Sequence, residues 1–420
     1  MFYLTSRAKL LPIILLLGSR QVGKTSIMLL LKKAMEKQNI PEKFVPYFTL
    51  QDPAVLNICF EGAENFIKFL TSHTGKTKDT VYCLLDEIQY LEDPSGFLKL
   101  IADRHPGIKL IMSGSSTFEI RQKFKNSLAG RKIIFEICPL DFHEYLLFKN
   151  EGPLLDILNG RADIQTLKFY APQLSKLYEE FAIYGGYPEI TLETITNDKT
   201  QLLLDIYNSY IRKDIKGLAR IENPQAFNNL LRILALGIGN LSNAHSLTND
   251  LKINRVTLER YLFLLEQTFI IKRVPSFFTN RKKEIVKMPK VYFEDTGLRN
   301  LIINNFNPFA TRSDIGELLE NAVYSQLTKN KHPLDSIHYW RTQSKNEVDF
   351  IIRKMENELI PIKIKYQPFD RPSIPSGIRS FINDYSPKEA LVLTKDYFDQ
   401  ITYQKTSVRF LPCWAFSGNP

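Results

Sequence analysis

Cysteine is scarce in this chain of 420 residues: Cys59, Cys83, Cys138 and Cys413 stand far apart, without the paired spacing that binds zinc or frames a disulfide-stapled fold. A reducing, cytoplasmic setting is therefore expected. No stretch approaches about 18 consecutive apolar residues, so neither a transmembrane helix nor a membrane partner is expected. The histidines number six, and His105, His143 and His245 lack the spacing of metal ligands. Internal repeats and low-complexity tracts are missing, and the 28 Phe and 19 Tyr form no ladder for stacking single-stranded nucleic acid; they suit apolar cores. With 44% hydrophobic residues, disorder, collagen and coiled coil are excluded as the main architecture.

Positive charge is in excess. Lys and Arg total 55 against 45 Asp and Glu, a formal net charge of +10, which favours anionic partners such as DNA or simply solubility. Clusters such as Arg281-Lys282-Lys283 and Lys363-Ile364-Lys365 say more than the total. The length suits about three domains. Arg7 and Lys9 followed by Leu10 to Leu17 have the look of a secretory leader, but the run stops at Gly18 and enters a glycine-rich loop, which makes a buried parallel strand the expectation.

In the first third, strand-like runs at Ile13 to Leu17, Val81 to Leu85 and Lys109 to Met112 alternate with helical stretches such as Ser26 to Lys37, the rhythm of an α/β fold with a parallel sheet. Another apolar run covers Ile133 to Pro139, and a helical region begins at Asp141 to Phe148. The middle third is mostly helical, broken by the turn at Tyr184-Gly185-Gly186-Tyr187-Pro188. Leu247 to Leu251, then Asn254 as N-cap, then Val256, Leu258, Leu262 and Leu265 at helical spacing predict a helix-turn-helix and, with the following strand, a winged helix. Beyond Pro289 the pattern is mixed, with a helix near Asp314 to Thr328 and strands near Val348 to Ile352 and Leu359 to Lys365.

Gly18-Ser19-Arg20-Gln21-Val22-Gly23-Lys24-Thr25, followed by Ser26, fits the phosphate-binding loop in full and sits between strand and helix, where its mechanism requires it. The glycines let backbone N–H groups turn toward phosphates, Lys24 supplies a cation, and the Thr25 hydroxyl is a ligand for Mg²⁺. Val81 to Asp86 supplies the second half: a strand ending in Asp86, which would hold Mg²⁺, followed by Glu87, placed to deprotonate the attacking water. A third strand ends in Ser113-Gly114-Ser115-Ser116, where Ser113 or Ser115 either senses the γ-phosphate or makes an ordinary tight turn. Arg131 is a candidate for stabilising transition-state charge, in its own subunit or a neighbour's, or else a surface salt-bridge residue.

These pieces resemble prokaryotic AAA-superfamily ATPases fused to a C-terminal domain of unknown function 4143. Further matching segments are Leu-Asp-Glu-Ile-Gln at 85–89, Leu-Ala-Gly-Arg at 128–131, Pro-Leu-Asp-Phe-His-Glu-Tyr at 139–145, Gly-Gly-Tyr-Pro at 185–188, Tyr-Ile-Arg-Lys-Asp at 210–214, the run from Pro289 to Leu298, and Glu-Val-Asp-Phe at 347–350. The resemblance implies an α/β P-loop ATPase core over 1–148, a helical lid or connector over 149–230, a winged helix over 231–288, and a C-terminal α/β domain over 289–420 similar to PD-(D/E)xK restriction endonucleases.

Such a nuclease needs an acid on one strand and an acid-x-lysine on the next. Asp349 supplies the first, but the next strand has Lys363-Ile364-Lys365, with a cation in the acid's place that would repel a metal. Glu320 and Glu347 are the carboxylates available from elsewhere, yet the favoured expectation is a degenerate nuclease fold whose Lys363 and Lys365 contact phosphates. In the predicted recognition helix Asn254, Arg255, Thr257, Glu259 and Arg260 are placed to face DNA or to remain merely wet. Arg281, Lys282 and Lys283 with Lys287 are placed to follow a phosphate backbone.

The expected activity is Mg²⁺-dependent ATP hydrolysis that repositions the winged-helix and nuclease-like parts on DNA. Two alternatives stand beside it: a slow ATP switch, alone or as a homo-oligomer, that recruits a protein partner without DNA, and a working nuclease.

Overall fold

All six residues of β1 (Ile13–Gly18) are buried, as befits a strand covered on both faces. The computed structural model describes residues 12–75, 78–114, 130–161, 163–209, 221–240, 243–278, 288–355 and 358–418. Around β1, the strands β2 (Tyr47–Thr49), β3 (Val81–Asp86), β4 (Ile108–Gly114) and β5 (Lys132–Ile137) form a parallel sheet in the order β2-β3-β4-β1-β5. Helices α1 (Lys24–Glu36), α2 (Pro53–Phe60), α3 (Ala63–Thr74) and α4 (Pro94–Arg104) cover it. The two-residue period of a strand divides β1 between two cores. Ile13, Leu15 and Leu17 join Phe66 and Leu98, while Ile14 and Leu16 join Met28 and Leu31 of α1.

Of the described residues, those up to Cys138, with Ser209 and Gln267–Phe269, belong to this first compact unit; those within Pro139–Asn208, Ile221–Glu266 and Ile270–Pro420 form a second. In the second unit, α5 (Phe142–Phe148) starts with a reciprocal cap. Asp141 accepts the Glu144 N–H at 2.9 Å, and the Glu144 carboxylate accepts the Asp141 N–H at 3.2 Å. Helices α6 (Ile164–Tyr184), α7 (Thr196–Ser209), α8 (Pro224–Leu236), α9 (Ala244–Leu251) and α10 (Arg255–Gln267) follow. Next come β6 (Ile271–Val274) and β7 (Lys290–Phe293), which pair antiparallel across the expected boundary at 288/289.

After α11 (Thr296–Ile302) and α12 (Ile315–Asn330), a six-stranded mixed sheet runs in the order β12-β13-β11-β10-β9-β8. Its strands are β8 (Ser336–Arg341), β9 (Glu347–Arg353), β10 (Leu359–Ile364), β11 (Glu389–Thr394), β12 (Asp399–Tyr403) and β13 (Thr406–Pro412). α12 packs Leu319, Ala322 and Val323 into one core with Phe350 and Ile352. On the other side α13 (Ser376–Tyr385) packs Ile378 and Phe381 with Ile351. Three segments quoted above meet in this unit. Asp295 caps α11 through the Leu298 N–H at 2.9 Å and accepts the Gly186 N–H at 2.8 Å, while the Gly186 carbonyl accepts the Leu140 N–H at 2.7 Å.

Candidate nucleotide site and a second polar pocket

The loop from Gly18 to Thr25 leaves the carboxyl end of β1 and enters α1, the edge of an open α/β sheet where ligands bind. Gly18 has no room for a side chain, since a Cβ there would lie 2.2 Å from the Ile137 carbonyl oxygen on β5. Gly23, at φ 90°, supplies the left-handed turn that aims the first N–H groups of α1 back into the loop. Lys24 is buried and donates to the carbonyl oxygens of Gly18 at 3.1 Å and Ser19 at 2.7 Å, so its ammonium is held within the loop.

Asp86, at the end of β3, is buried and ringed by hydroxyl groups. Thr25 donates to its Oδ2 at 2.7 Å, Tyr47 to the same oxygen at 2.8 Å, and Ser113 to Oδ1. Burial, and then the bond to Asp86, push the Tyr47 phenol well above its ordinary range, so it serves as a donor. Glu87 takes a left-handed backbone at φ 63°, uncommon for a residue with a side chain. Its N–H donates to Ser113 Oγ at 3.1 Å and its carboxylate accepts from the Gln89 amide. Ser113 thus fastens the acidic pair, where a contact to phosphate had been one expectation.

The second unit holds a pocket of about 280 Å³ whose lining includes Lys290, Glu317, Glu320, Glu347, Asp349, Lys363 and Lys365. Glu320, Asp349, Lys363 and Lys365, proposed above as a nuclease remnant, are therefore brought together from α12, β9, β10 and the residue after it. Lys363 Nζ donates to Asp349 Oδ1 at 2.5 Å, and the Ile364 N–H donates to Oδ2 at 2.8 Å. Lys290, buried on β7, bridges Glu320 at 2.9 Å and Glu347 at 2.6 Å, and Tyr292 donates to Glu320. Burial and then the Asp349 charge push Glu320 up to about 6, while Lys290 overcomes the burial of Glu347 and lowers it. Expected to meet phosphates, Lys363 is instead engaged by Asp349, whereas Lys365 is exposed at the pocket. Among the described residues no three His, Cys, Asp or Glu side chains converge as a metal cage.

The comparisons with known proteins accord with the first of these geometries. Residues 11–146 match an AAA domain. Two domains of unknown function match further on, DUF8612 at 175–308 and DUF4143 at 315–416. An uncharacterized protein of Haemophilus influenzae is 23% identical over 94% of this chain and 92% of its own length. One of Methanocaldococcus jannaschii is 24% identical over 97% and 89%. Among solved structures, the Saccharomyces cerevisiae Hsp104–ADP complex aligns over 60% of this chain and 36% of that one, at 19% identity and a TM-score of 0.29. The AAA match supports a nucleotide-dependent activity for the first unit.

Other expected site residues fall elsewhere. Arg131 precedes β5 at the amino edge of the first unit's sheet and pairs with Asp103 at 3.0 Å. Since Ile13 and Gly18 of β1 align with Lys132 and Ile137 of β5, the length of a strand, roughly 17 Å, separates Arg131 from its own loop. A cavity of about 380 Å³ beside Val81 and Ile108 opens at the same amino edge and includes none of the phosphate-loop residues. Ser115, Arg281, Lys282, Lys283 and Lys287 lie outside the described residues.

On α10, Asn254 caps the helix by accepting the Thr257 N–H at 2.8 Å, and Arg255 is exposed. Arg260 lies 3.6 Å from Glu222, and Glu259 pairs with Arg273 at 2.9 Å. Tyr47 and Lys290 were missed from sequence. β2 is three residues long, too short to show a period, and Lys290 is the first residue of a buried four-residue strand.

Proposed function

We propose that this chain binds ATP with magnesium in the loop between β1 and α1 and hydrolyses it, with nucleotide state governing the placement of the second unit on DNA. The observation that carries the reading is the Thr25 hydroxyl on Asp86 at 2.7 Å, which joins the phosphate loop to the acid at the end of β3. Both offer the hard oxygen donors that magnesium takes, and an ion also bound by phosphates needs few protein ligands. Thr25 and Asp86 would hold it, and it would neutralise the charge on the β- and γ-phosphate oxygens. Lys24 adds a second cation to the same oxygens, and the N–H groups of the loop a third source of positive potential. Glu87 accepts the proton of the attacking water, a task suited to a carboxylate one residue beyond the metal-holding acid.

The position of Arg131 supports action on a neighbouring subunit's nucleotide, within a homo-oligomer. A DNA role rests on less: the net positive charge, the helix-turn-helix order of α9 and α10, and the exposed Arg255.

Glu87→Gln keeps the shape and removes the base, so ATP turnover falls by about a hundredfold or more while nucleotide affinity is retained. Turnover at the wild-type rate would overturn the assignment. Repeating the ATPase assay with single- and double-stranded DNA tests the DNA half: stimulation that fades steeply with salt supports it, and an unchanged rate with no salt-sensitive binding opposes it.

A further inference from the structure

The hydrogen-bond partners of a carboxylate that would hold a metal orient it and tune its affinity for the ion. Asp86 receives three hydroxyl donors: Thr25 and Tyr47 on Oδ2 at 2.7 and 2.8 Å, and Ser113 on Oδ1. Thr25 is the one that phosphate-loop chemistry assigns to the metal. Once its oxygen turns to the ion, Tyr47 and Ser113 are the side chains left, one on each carboxylate oxygen. We propose that Tyr47 is a positioning residue for magnesium, holding Asp86 oriented when Thr25 leaves it for the ion. The proposal rests on the ATP reading above and adds a residue that no phosphate-loop motif contains.

The placement of Tyr47 follows from the sheet. Tyr47 on β2 pairs in register with Leu84, two residues before Asp86, and a long side chain is required to bring a hydroxyl up to the carboxyl edge. Its ring packs against the apolar cluster of Leu16, Met28, Leu31, Val45 and Leu84, while its neighbour Phe48 packs into the core on the opposite face. The ring is thus fixed by packing and the hydroxyl by Asp86. Phenylalanine would fill the same space and lack only the donor.

The test measures binding of a fluorescent ATP analogue to the full chain in EDTA and in magnesium, and takes the ratio of the two dissociation constants as the magnesium enhancement. Tyr47→Phe is expected to leave the EDTA value within about twofold and to reduce the enhancement about tenfold, the scale of one lost hydrogen bond to a charged group. In an Asp86→Asn background the same change should have no further effect on the enhancement. Ser113→Ala, which strips the donor from the other oxygen, gives an independent reading with the same expected direction. Full enhancement in Tyr47→Phe, or additive losses in the double variant, would overturn the role of Tyr47 and leave the ATP reading standing. A wild-type chain that binds no analogue in either buffer would overturn the ATP reading itself.

Discussion

Asp86 and Asp349 are both buried aspartates on strands, each in a unit with its own sheet, yet their charges are met in opposite ways. Around Asp86 every described donor is a neutral hydroxyl, from Thr25, Tyr47 and Ser113. Such donors orient a carboxylate without cancelling its charge, which leaves it able to attract a cation. Around Asp349 the donors are the Ile364 N–H and the Lys363 ammonium, so the charge is compensated within the chain. Lys290 does the same for Glu320 and Glu347. The difference lies in what kind of donor the neighbouring strand supplies, and it separates a carboxylate suited to an exchangeable ion from one built into the fold.

The largest effect expected from this contrast is in the first unit. Lys24 donates to loop carbonyl oxygens of Gly18 and Ser19, and Lys24→Ala should bind ATP about a thousandfold more weakly, the scale of removing one partner from a close charge pair. Equilibrium binding with the fluorescent analogue checks it, and near-normal affinity would mean that the loop does not hold a triphosphate. Next comes Lys363→Ala, which strands Asp349 without its cation and should destabilise the second unit by about 3 kcal/mol, with nucleotide affinity unchanged. Urea unfolding of the full chain measures the loss. A negligible loss would mean that Asp349, like Asp86, does not depend on an internal cation, and the contrast would fail.

How much of this was legible beforehand depended on the range of the interactions involved. The strand-loop-helix of residues 13–36 announces itself because a local apolar run, two glycines and a lysine specify it within one short stretch. The strand alternation that sets Lys363 apart from Ile362 and Ile364 is local too, so the lysine in an acid's place was visible. Its bond to Asp349 was not, because that requires the antiparallel register of β9 and β10. The same holds for Lys290, which meets Glu347 across 57 positions of sequence, and for Tyr47, whose function comes from pairing with β3. Arg131 was legible as a residue type but not as a position: only the β1–β5 register shows which edge of the sheet it occupies.

The smallest expected effect sharpens the contrast from the side of pH, since a buried carboxylate without a cation should disfavour its own ionisation. Asp295 is such a group. Burial pushes it up to about 6, against the N–H groups of Gly186, Leu298 and Gly297, from an ordinary aspartate value of 3.8. Between those values the folded chain holds a proton that the unfolded chain has released. Its contribution to stability is therefore full below about pH 4, declines as pH rises toward 6, and is flat above. Glu320, also raised to about 6, adds a decline over nearly the same interval, so Asp295→Asn should remove about half of the slope rather than all of it. Asp314 has the opposite sign: despite its burial, the Arg312 and Arg299 guanidinium groups hold it down to about 2, and its contribution is lost only as pH falls from about 4 toward 2. Melting temperatures of the wild type and Asp295→Asn from pH 2 to 8 separate these terms, because the variant should keep the acid-side loss while halving the decline between 4 and 6. An unchanged slope in that interval would show that the three backbone donors stabilise an ionised Asp295 without a paired cation, and that an ammonium is not what a buried aspartate in this unit requires.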